Sequence, residues 1–423
     1  MNTKLRVLGV FAGLSIFAAA CGGGATPSPS SGGASASAPA GGSASASAGS
    51  GAVTPLTGTL TLWHSYGSGG GETGALNKVL DAVKAANPGL TVNVVEQPFS
   101  DIFTKWRTDA AAGGTAVDLF IAPNDDLGKD ARAGSIADIS SLLEGNPALA
   151  NVQQVALDGS KVDGKFYMVP ESLKAVALWY DKTAITTAPT TSQELLDGVK
   201  AGTIKLGINQ GVYHQFGWTG AFGGKLLDDT GKCVADQGGF AEAFAYLKSL
   251  KAAGAKFNTD GGALDTDFKT GVINAIIDGP WTTADFRTAL GDKLAVTPIP
   301  AGPSGKADPF TGTDGWYINP NLDPTQTKLA VDFALQMVAP ASEQIFVDDA
   351  GHVPADSTVA VSNDITKGFA DAAAAGLPRP QGNTFGNWWA PFGAALNDVI
   401  DAGKDATTAV KDACTLMNQT PPS

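Results

Sequence analysis

Histidine and cysteine are scarce in this chain, which has three of each among its 423 residues. The sequence contains neither a His-Glu-x-x-His pair nor a Cys-x-x-Cys pair, so nothing in it indicates a zinc site. It also lacks a phosphate loop ending in Gly-Lys-Ser/Thr, and no Gly-x-Ser-x-Gly nucleophile motif follows residue 56. We therefore expect no bound metal and no cofactor.

Charged residues are few as well, at 16% of the chain, against ~25% in an average soluble protein. The 28 Lys and Arg against 41 Asp and Glu give a formal net charge of −13. A nucleic-acid partner would require a basic face, so we expect none. No period of ~20–50 residues repeats along the chain, which argues against a solenoid or a propeller.

The N-terminal segment has no Asp, Glu, Lys or Arg between Arg6 and Glu72. Its apolar stretch, residues 7–20, is shorter than the ~20 residues that span a membrane and is typical of a signal peptide. The small residues before Cys21 resemble a bacterial lipobox, in which the cysteine becomes the lipidated first residue. The alternative is an ordinary secretory signal with an incidental cysteine.

Residues 22–56 consist almost entirely of Gly, Ala, Ser, Pro and Thr, which predicts a flexible tether. We therefore expect a signal peptide at residues 1–20 and a lipidated cysteine with its tether at 21–56. Such a protein is exported and held by lipid on the outer face of the cell membrane. The two remaining cysteines, Cys233 and Cys414, either form one disulfide or are two separate buried thiols.

From residue 57 onward, segments with strand periodicity alternate with segments of helical periodicity. This alternation predicts an α/β fold with a mainly parallel sheet. Strands are predicted at 59–63, 90–95, 117–122, 175–180, 204–208 and 272–277, and helices at 76–83, 103–112, 240–253, 329–338 and 394–402.

One motif resembles a dinucleotide-binding site. Residues 69–74 match Gly-x-Gly-x-x-Gly between a strand and a helix, and Glu96 follows as the acidic residue of that pattern. However, residues 64–68 separate the strand from the first glycine, whereas the tight turn must begin where the strand ends. An exported protein also meets no pool of nicotinamide cofactor. We interpret the segment as a loop whose backbone closely approaches some ligand.

Several short motifs follow one another along this part of the chain. They are LTLWH at 60–64, VDLFIAPNDD at 117–126 with AG at 133–134 and IADI at 136–139, DGKFYMVP at 163–170 with WYDK at 179–182, NAIIDGPW at 274–281 and GHVP at 351–354. In this order they resemble the extracellular solute-binding proteins of ABC importers, in particular the carbohydrate group that includes maltose-binding protein. The resemblance covers about residues 57–418.

The resemblance implies a periplasmic-binding-protein-like fold, in which two α/β lobes joined by chain crossings close on a solute by a hinge. It places the first lobe at 57–170 plus 314–354 and the second at 171–313 plus 355–418. It also implies a non-catalytic, monomeric protein that binds a mono- or oligosaccharide and delivers it to ABC permease subunits. The alternatives are the same fold with a non-sugar solute, or a secreted carbohydrate-active enzyme.

Aromatic faces that pack on pyranose rings are the first requirement of a sugar site. Trp281 follows Gly-Pro at a strand end, where the family places a sugar-stacking tryptophan. Of the adjacent Trp388 and Trp389, one is expected to face the ligand while the other packs, and Trp389 matches the family slightly better. Further aromatic candidates are Trp316 at a proposed crossover, and Tyr213 and Trp218 in a segment that matches an aromatic cluster of the family. For each tryptophan the alternative is a place in the core, which we expect for Trp63, Trp106 and Trp179.

Polar groups that take up sugar hydroxyls are the second requirement. The candidates are His64, Tyr66 and Glu72 on the first loop, Asn124, Asp125 and Asp126 after a strand end, and Asp278 beside Trp281. The alternatives are helix capping for residues 124–126 and turn capping for Asp278. Lys174 stands where maltose-binding protein has a sugar-binding carboxylate, which indicates either a different glycan or an internal salt bridge.

Overall fold

A computed structural model describes residues 55–67 and 70–422 of the chain. The predicted signal peptide, the lipidation site at Cys21 and nearly all of the tether lie outside the described residues. Leu56, the last residue assigned to the tether, is already buried in a hydrophobic core. Its backbone N–H donates to the Asn87 side-chain oxygen at 2.7 Å, so the folded body includes this residue.

Strands and helices alternate along the described chain. The strands are β1 Thr57–His64, β2 Gly89–Glu96, β3 Leu119–Pro123, β4 Lys161–Val162, β5 Lys165–Phe166, β6 Met168–Lys174, β7 Ala177–Asp181, β8 Leu206–Asn209, β9 Lys256–Asn258, β10 Ala275–Asp278, β11 Leu294–Thr297, β12 Phe310–Ile318, β13 Val353–Pro354 and β14 Leu377–Pro378.

The helices are α1 Gly71–Ala86, α2 Phe99–Ala111, α3 Leu127–Arg132, α4 Ser140–Leu143, α5 Gln154–Gly159, α6 Ser192–Lys200, α7 Val212–Gln215, α8 Gly217–Ala221, α9 Phe240–Ala253, α10 Gly261–Lys269, α11 Thr283–Leu290, α12 Pro324–Met337, α13 Pro340–Ala350, α14 Asp364–Ala375, α15 Trp389–Ile400 and α16 Ala406–Gln419. Short 3-10 helices occupy Pro147–Leu149, Ala235–Gln237, Pro280–Thr282, Gly291–Lys293 and Phe385–Trp388. Among the described residues, no helix combines the length and apolar composition needed to cross a bilayer.

Two sheets organise the molecule into two α/β lobes. A seven-stranded sheet in the order β13-β6-β12-β3-β1-β2, with β14 paired to β12, forms the first lobe. A five-stranded sheet in the order β11-β7-β10-β8-β9 forms the second lobe. Apolar side chains at helical spacing bury one face of each long helix, as Leu76, Val79 and Leu80 do on α1.

The expectation of mainly parallel sheets is wrong, because both sheets are mixed. β1 is parallel to β2 and β3, and β8 is parallel to β9 and β10. β12 is antiparallel to β3 and β6, and β7 is antiparallel to β10 and β11. The antiparallel strands lie beside the segments that connect the two sheets. They therefore do not follow the strand–helix alternation on which the expectation rested.

The chain crosses between the sheets three times. It leaves the first sheet after β6 and enters the second at β7, only two residues later. It returns between β11 and β12, and it leaves the first sheet again after β14, where α15 and α16 pack in the core of the second lobe. The boundaries expected at 170/171 and 313/314 fall inside β6 and β12, so strands of the first sheet continue up to the crossings.

A disulfide joins Cys233 to Cys414 on α16, with Cα atoms 5.5 Å apart. Cys233 pairs with Leu227 in an isolated antiparallel bridge and is buried in the core of the second lobe. The Asn418 side chain accepts the backbone N–H of Cys233 at 2.8 Å. The C-terminal helix is therefore tied covalently to a loop of the second lobe.

Candidate functional site

Polar side chains from two strands of the first sheet form an ion pair at the crossings. Lys174 is the last residue of β6, and Asp314 lies on the neighbouring β12. The two side chains are in contact and are only 12% and 2% exposed. Although burial disfavours its charged form, attraction by Asp314, Glu72 and Glu171 raises the pKa of Lys174. Lys174 therefore makes an internal salt bridge, which is one of the two alternatives expected for a lysine at this position.

A second buried ionic group surrounds His352, which follows the left-handed Gly351 at the end of α13. His352 Nε2 lies 3.0 Å from Glu72 Oε1, and its Nδ1 lies 2.9 Å from Glu171 Oε1. Burial opposes protonation of the imidazole, but the two carboxylates raise the pKa of His352 to about 10. A protonated His352 thus connects the first turn of α1 to β6.

Tyr66 contributes a buried hydroxyl to the same region. Its ring lies 6.1 Å from the His352 ring and 5.8 Å from the His64 ring. Burial, reinforced by Glu171, Glu72 and Asp314, raises the pKa of Tyr66. Among the described residues the hydroxyl has no hydrogen-bond partner, and neither has Asp314 Oδ1. The Tyr66 hydroxyl can donate or accept a hydrogen bond with a bound polar molecule, and the Asp314 carboxylate oxygen can accept one.

The second lobe supplies three partly exposed aromatic rings, Tyr213, Trp281 and Trp389, which we call the aromatic platform. Tyr213 on α7 lies between the others, with ring-centroid distances of 6.3 Å to Trp281 and 6.5 Å to Trp389. Trp281 occupies the 3-10 turn that follows β10, and Trp389 begins α15. Polar hydroxyl-rich ligands with apolar C–H faces can stack on such rings.

Two cations connect the aromatic platform to the ionic groups. Lys174 Nζ lies 5.7 Å from the Trp281 ring centroid. Arg379 Cζ lies 5.3 Å from the Tyr213 ring centroid and forms an ion pair with Asp125. Burial lowers the pKa of Arg379 to about 9. Through these contacts, side chains of both lobes form one continuous site.

His214 and Asp278 complete the site beneath the platform. Asp278 ends β10, is 3% exposed and accepts the Gly279 N–H at 2.7 Å. His214 Nε2 lies 3.6 Å from Asp278 Oδ1, and its ring stands edge-on to Trp281 at 6.0 Å. The expected site residues Tyr66, Glu72, Asp125, Tyr213, Asp278, Trp281 and Trp389 are therefore brought into one network.

Trp218 and Trp316 lie in the core instead of the ligand site, which corrects the expectation, and of the adjacent pair Trp388 packs in the core while Trp389 is partly exposed. Trp218, Trp316 and Trp388 are all 0% exposed. Trp218 packs on Tyr246 at 4.9 Å, and Trp388 packs on aromatic rings of the second-lobe core. The register of β12 shifts between Asp314 and Gly315, and beyond this shift Trp316 packs in the first-lobe core. Trp106 and Trp179 are buried as expected, and Trp63 packs against the core while partly exposed.

Three polar residues that were expected to bind the ligand, Asn124, Asp126 and His64, make contacts within the first lobe instead. The Asn124 amide donates to the Gly159 carbonyl at 2.9 Å and accepts the Thr313 N–H at 3.2 Å, so it is a structural link. Asp126 pairs with Arg107, which also holds the buried Asp130. His64 is buried, accepts the Tyr66 N–H at 3.3 Å and has its pKa lowered by burial.

Five residues of the network were not anticipated: Glu171, His214, Asp314, His352 and Arg379. His352 lies within the motif at 351–354, Glu171 directly follows the motif at 163–170, and Asp314 lies two residues before Trp316 at the proposed crossover. The sequence feature that could have identified these three residues is therefore their position at the crossovers, where strands from both lobes meet. Arg379, between two prolines, lies outside every recognised motif. In residues 55–67 and 70–422 no group of three or more His, Cys, Asp or Glu side chains is arranged to hold a metal ion.

Comparison with known proteins extends these observations. The sequence profile of the bacterial extracellular solute-binding proteins matches residues 78–375. A maltooligosaccharide ABC transporter solute-binding lipoprotein of Streptococcus pneumoniae is 25% identical over 335 residues, covering 73% of this chain and 77% of the relative.

Solved structures are similar over most of the chain. The maltotriose-binding protein of Thermus thermophilus, bound with maltotriose, superposes with a TM-score of 0.76 at 25% identity, covering 85% of this chain and 99% of that one. The GacH receptor of Streptomyces glaucescens, studied unliganded and with acarbose, gives a TM-score of 0.77 at 20% identity, covering 86% and 100%.

Proposed function

The chain belongs to the bacterial extracellular solute-binding proteins, and we propose that it binds a short oligosaccharide between its lobes for an ABC importer. The family is one of binding proteins and not of enzymes, which agrees with the absence of a catalytic motif from the sequence. The dinucleotide-binding alternative at residues 69–74 is accordingly set aside. Relatives that bind maltooligosaccharides or maltotriose support a carbohydrate ligand.

The observation that carries the proposal is the aromatic platform facing a set of ionised and unpartnered polar groups. Sugars need an apolar surface for their C–H faces and directional acceptors and donors for their hydroxyls. Trp281 and Trp389 offer the former on either side of Tyr213. The Tyr66 hydroxyl and Asp314 Oδ1 offer the latter.

We propose that Tyr66, Glu72, Tyr213, Trp281 and Trp389 contact the sugar directly. Asp125 and Asp278 would act at the edge of the site, each through its partner, Arg379 or His214. The ligand requires no metal or cofactor in this proposal. We propose that the two lobes divide near 57–170 plus 314–354 and 171–313 plus 355–418, with the first two boundaries moved to the end of β6 and the start of β12.

Binding would hold the lobes closed, and the closed protein would dock as a monomer on permease subunits. A hinge motion is reasonable because the lobes are joined by only three crossings. Lipidation of Cys21 would keep the protein at the outer face of the membrane. A Cys21→Ser variant should appear in the medium instead of the membrane fraction, and intact-mass analysis of the wild type should show the lipid.

Calorimetric titration with a panel of sugars tests the binding proposal. We expect micromolar or tighter binding of at least one member, with maltotriose, maltopentaose and galactooligosaccharides included. Trp281→Ala should weaken that binding at least ~30-fold, since a buried aromatic contact contributes about 2 kcal/mol or more. Phe99→Ala, which removes a ring that is 52% exposed, is the matched control and should bind normally.

Two outcomes would refute the sugar proposal. One is that no sugar binds while an amino acid, a polyamine or another solute does. The other is that Trp281→Ala and Phe99→Ala bind the sugar equally well. Release of reducing ends from a glycan would instead identify a carbohydrate-active enzyme.

A further inference from the structure

The first residues of α11, in the second lobe, pack directly against the first lobe. Ala284 lies so close to Gly71, the first residue of α1, that a Cβ at Gly71 would overlap the Ala284 Cβ and lie 3.2 Å from the Asp349 carbonyl oxygen. Thr283 packs on Gly351 in the same way, and a Cβ there would come within 2.6 Å of Thr283 Cγ2. Two glycines of the first lobe therefore form a surface that receives α11, which we call the glycine seat.

An ion pair holds the two glycines of the seat side by side. Glu72 directly follows Gly71, and His352 directly follows Gly351. His352 Nε2 lies 3.0 Å from Glu72 Oε1, and both side chains are largely buried. The start of α1 is thus fixed to the end of α13, and the seat is built entirely from the first lobe.

A hydrogen bond further along α11 adds to this contact between the lobes. Arg287 Nη1 donates to the Asp348 carbonyl oxygen on α13 at 3.1 Å. Arg287 lies three residues after Ala284, so the two side chains share one face of the helix. That face of α11 is therefore the one that meets the first lobe.

The seated end of α11 continues directly from an aromatic ring of the ligand site. Trp281 occupies the 3-10 turn Pro280–Thr282, and α11 begins at the next residue, Thr283. The buried Thr283 hydroxyl donates to the Pro280 carbonyl at 2.6 Å, which ties the helix to the turn. A shift of α11 on the seat must therefore move Trp281 as well.

We propose that Gly71 and Ala284 are positioning residues for the ligand site, whose contact sets the distance between Trp281 on one lobe and Glu72 on the other. A side chain at Gly71 would push α11, and the ring attached to it, away from the polar groups that follow Gly71. A sugar ring bound between the lobes must touch both sides, so its affinity depends on this spacing. The inference rests on the proposed function, since it assigns a control to the same site.

A compensating exchange across the lobes tests this role in the full chain, with maltotriose titrated calorimetrically. Gly71→Ala adds one methyl group at the seat and should weaken binding about tenfold, a modest effect of overpacking. Ala284→Gly removes the methyl group that the new one would meet, and alone should change the affinity less than about threefold, because its lower helix propensity acts mainly on folding.

The variant that combines Gly71→Ala with Ala284→Gly should regain most of the wild-type affinity. The atom of α11 facing the new Cβ is then the Cα of residue 284 at 3.7 Å, an ordinary contact distance. Gly74→Ala is the matched control on the same helix, since a Cβ at Gly74 would have no described atom within 4 Å. It should bind maltotriose like the wild type.

Hydrogen exchange followed by mass spectrometry provides a readout that needs no sugar. In the free protein, the backbone amides at the end of α13, residues 346–352, should exchange faster in Gly71→Ala than in the wild type and Gly74→Ala. The combined variant should return to the slow exchange of the wild type, because α11 again covers this end of α13. A residue with a merely structural role in α1 would show no such rescue from the other lobe.

The outcomes separate this inference from the choice of sugar. Wild-type affinity in Gly71→Ala, or a combined variant that binds as weakly as Gly71→Ala, would overturn the positioning role. If maltotriose does not bind even the wild type, but the exchange pattern is present, the choice of sugar is wrong and the control of lobe spacing stands. Equal exchange in all variants would then overturn that control too.

Discussion

Replacing Lys174 by methionine should destabilise the protein strongly, because it leaves Asp314 charged, buried and unpaired. The Asp314 side chain is 2% exposed and that of Lys174 is 12% exposed, so water can replace little of the lost attraction. Removing one partner of a buried ion pair typically costs about 3–5 kcal/mol. Methionine keeps the length and the apolar stem of lysine, so the change isolates the charge.

An independent argument limits the size of the loss. Asp314 can lose its unpaired charge by binding a proton. Since pH 7 lies ~3 units above the ordinary pKa of aspartate, and each unit costs ~1.4 kcal/mol, this protonation has a defined cost. The unfolding free energy at pH 7 should therefore fall by no more than about 4 kcal/mol. The same argument predicts that the loss shrinks to about 1–2 kcal/mol at pH 5, where protonation costs little.

Urea denaturation at pH 7 and pH 5, followed by far-UV circular dichroism, measures both losses. Lys174→Met/Asp314→Asn should recover most of the stability at pH 7, since neither charge remains. Lys328→Met removes a lysine that is 62% exposed and pairs with Asp332, so it should cost less than ~1 kcal/mol. A loss in Lys174→Met that does not depend on pH, or a double variant as unstable as the single one, would refute the reasoning.

Three further predictions concern the disulfide, the imidazole and the interface of the lobes. Cys233→Ser/Cys414→Ser should lower the unfolding free energy by about 3–5 kcal/mol, because the bond closes a loop spanning 181 positions; urea denaturation measures this. The pKa of His352 rises on folding to about 10, so its contribution to stability is complete below about pH 6.5 and lost as the pH rises through 10. Comparing wild type with His352→Gln across this range tests it. Gly71→Val should weaken sugar binding without unfolding either lobe, since a Cβ at Gly71 would overlap Ala284 Cβ of the other lobe.

Each of these predictions has a contradicting result. Equal stability of the reduced and oxidised protein would contradict the disulfide prediction. A constant stability difference between wild type and His352→Gln from pH 6 to pH 10 would show that the imidazole does not gain its proton on folding. Unchanged affinity in Gly71→Val would show that the lobes bind the sugar without the approach of α1 to α11.

Local patterns were sufficient to predict many elements of the fold. The apolar spacing in 240–253 predicts a helix with the bounds of α9, since Gly254 provides the left-handed residue that ends it. The turn residues Asn87 and Gly89 mark the end of α1 and the start of β2. Such signals depend only on neighbouring residues. The predicted elements are present in the folded protein because core packing favours the same elements.

The strand β12 shows why the remainder could not be predicted. Its sequence, Phe-Thr-Gly-Thr-Asp-Gly-Trp-Tyr-Ile, is rich in polar residues and glycine, yet all nine residues are buried. Burial here comes from β3 and β6 on its two sides, which are distant in sequence. Gly315 is also required by close packing, because a Cβ there would overlap the Val169 carbonyl. The local sequence favours a ligand contact for Trp316, because the distant strands that bury it cannot be identified from the neighbouring residues.

Lys174 and Asp314 lie on the strands that lead into the crossings between the lobes. The residues that set the charge of the site are therefore also part of the joint about which the lobes would move. A substitution at either position changes the intrinsic affinity and the fraction of closed molecules together, and an observed dissociation constant is the product of both effects. Selection for a new sugar in this protein would act on the mechanics of its hinge at the same time.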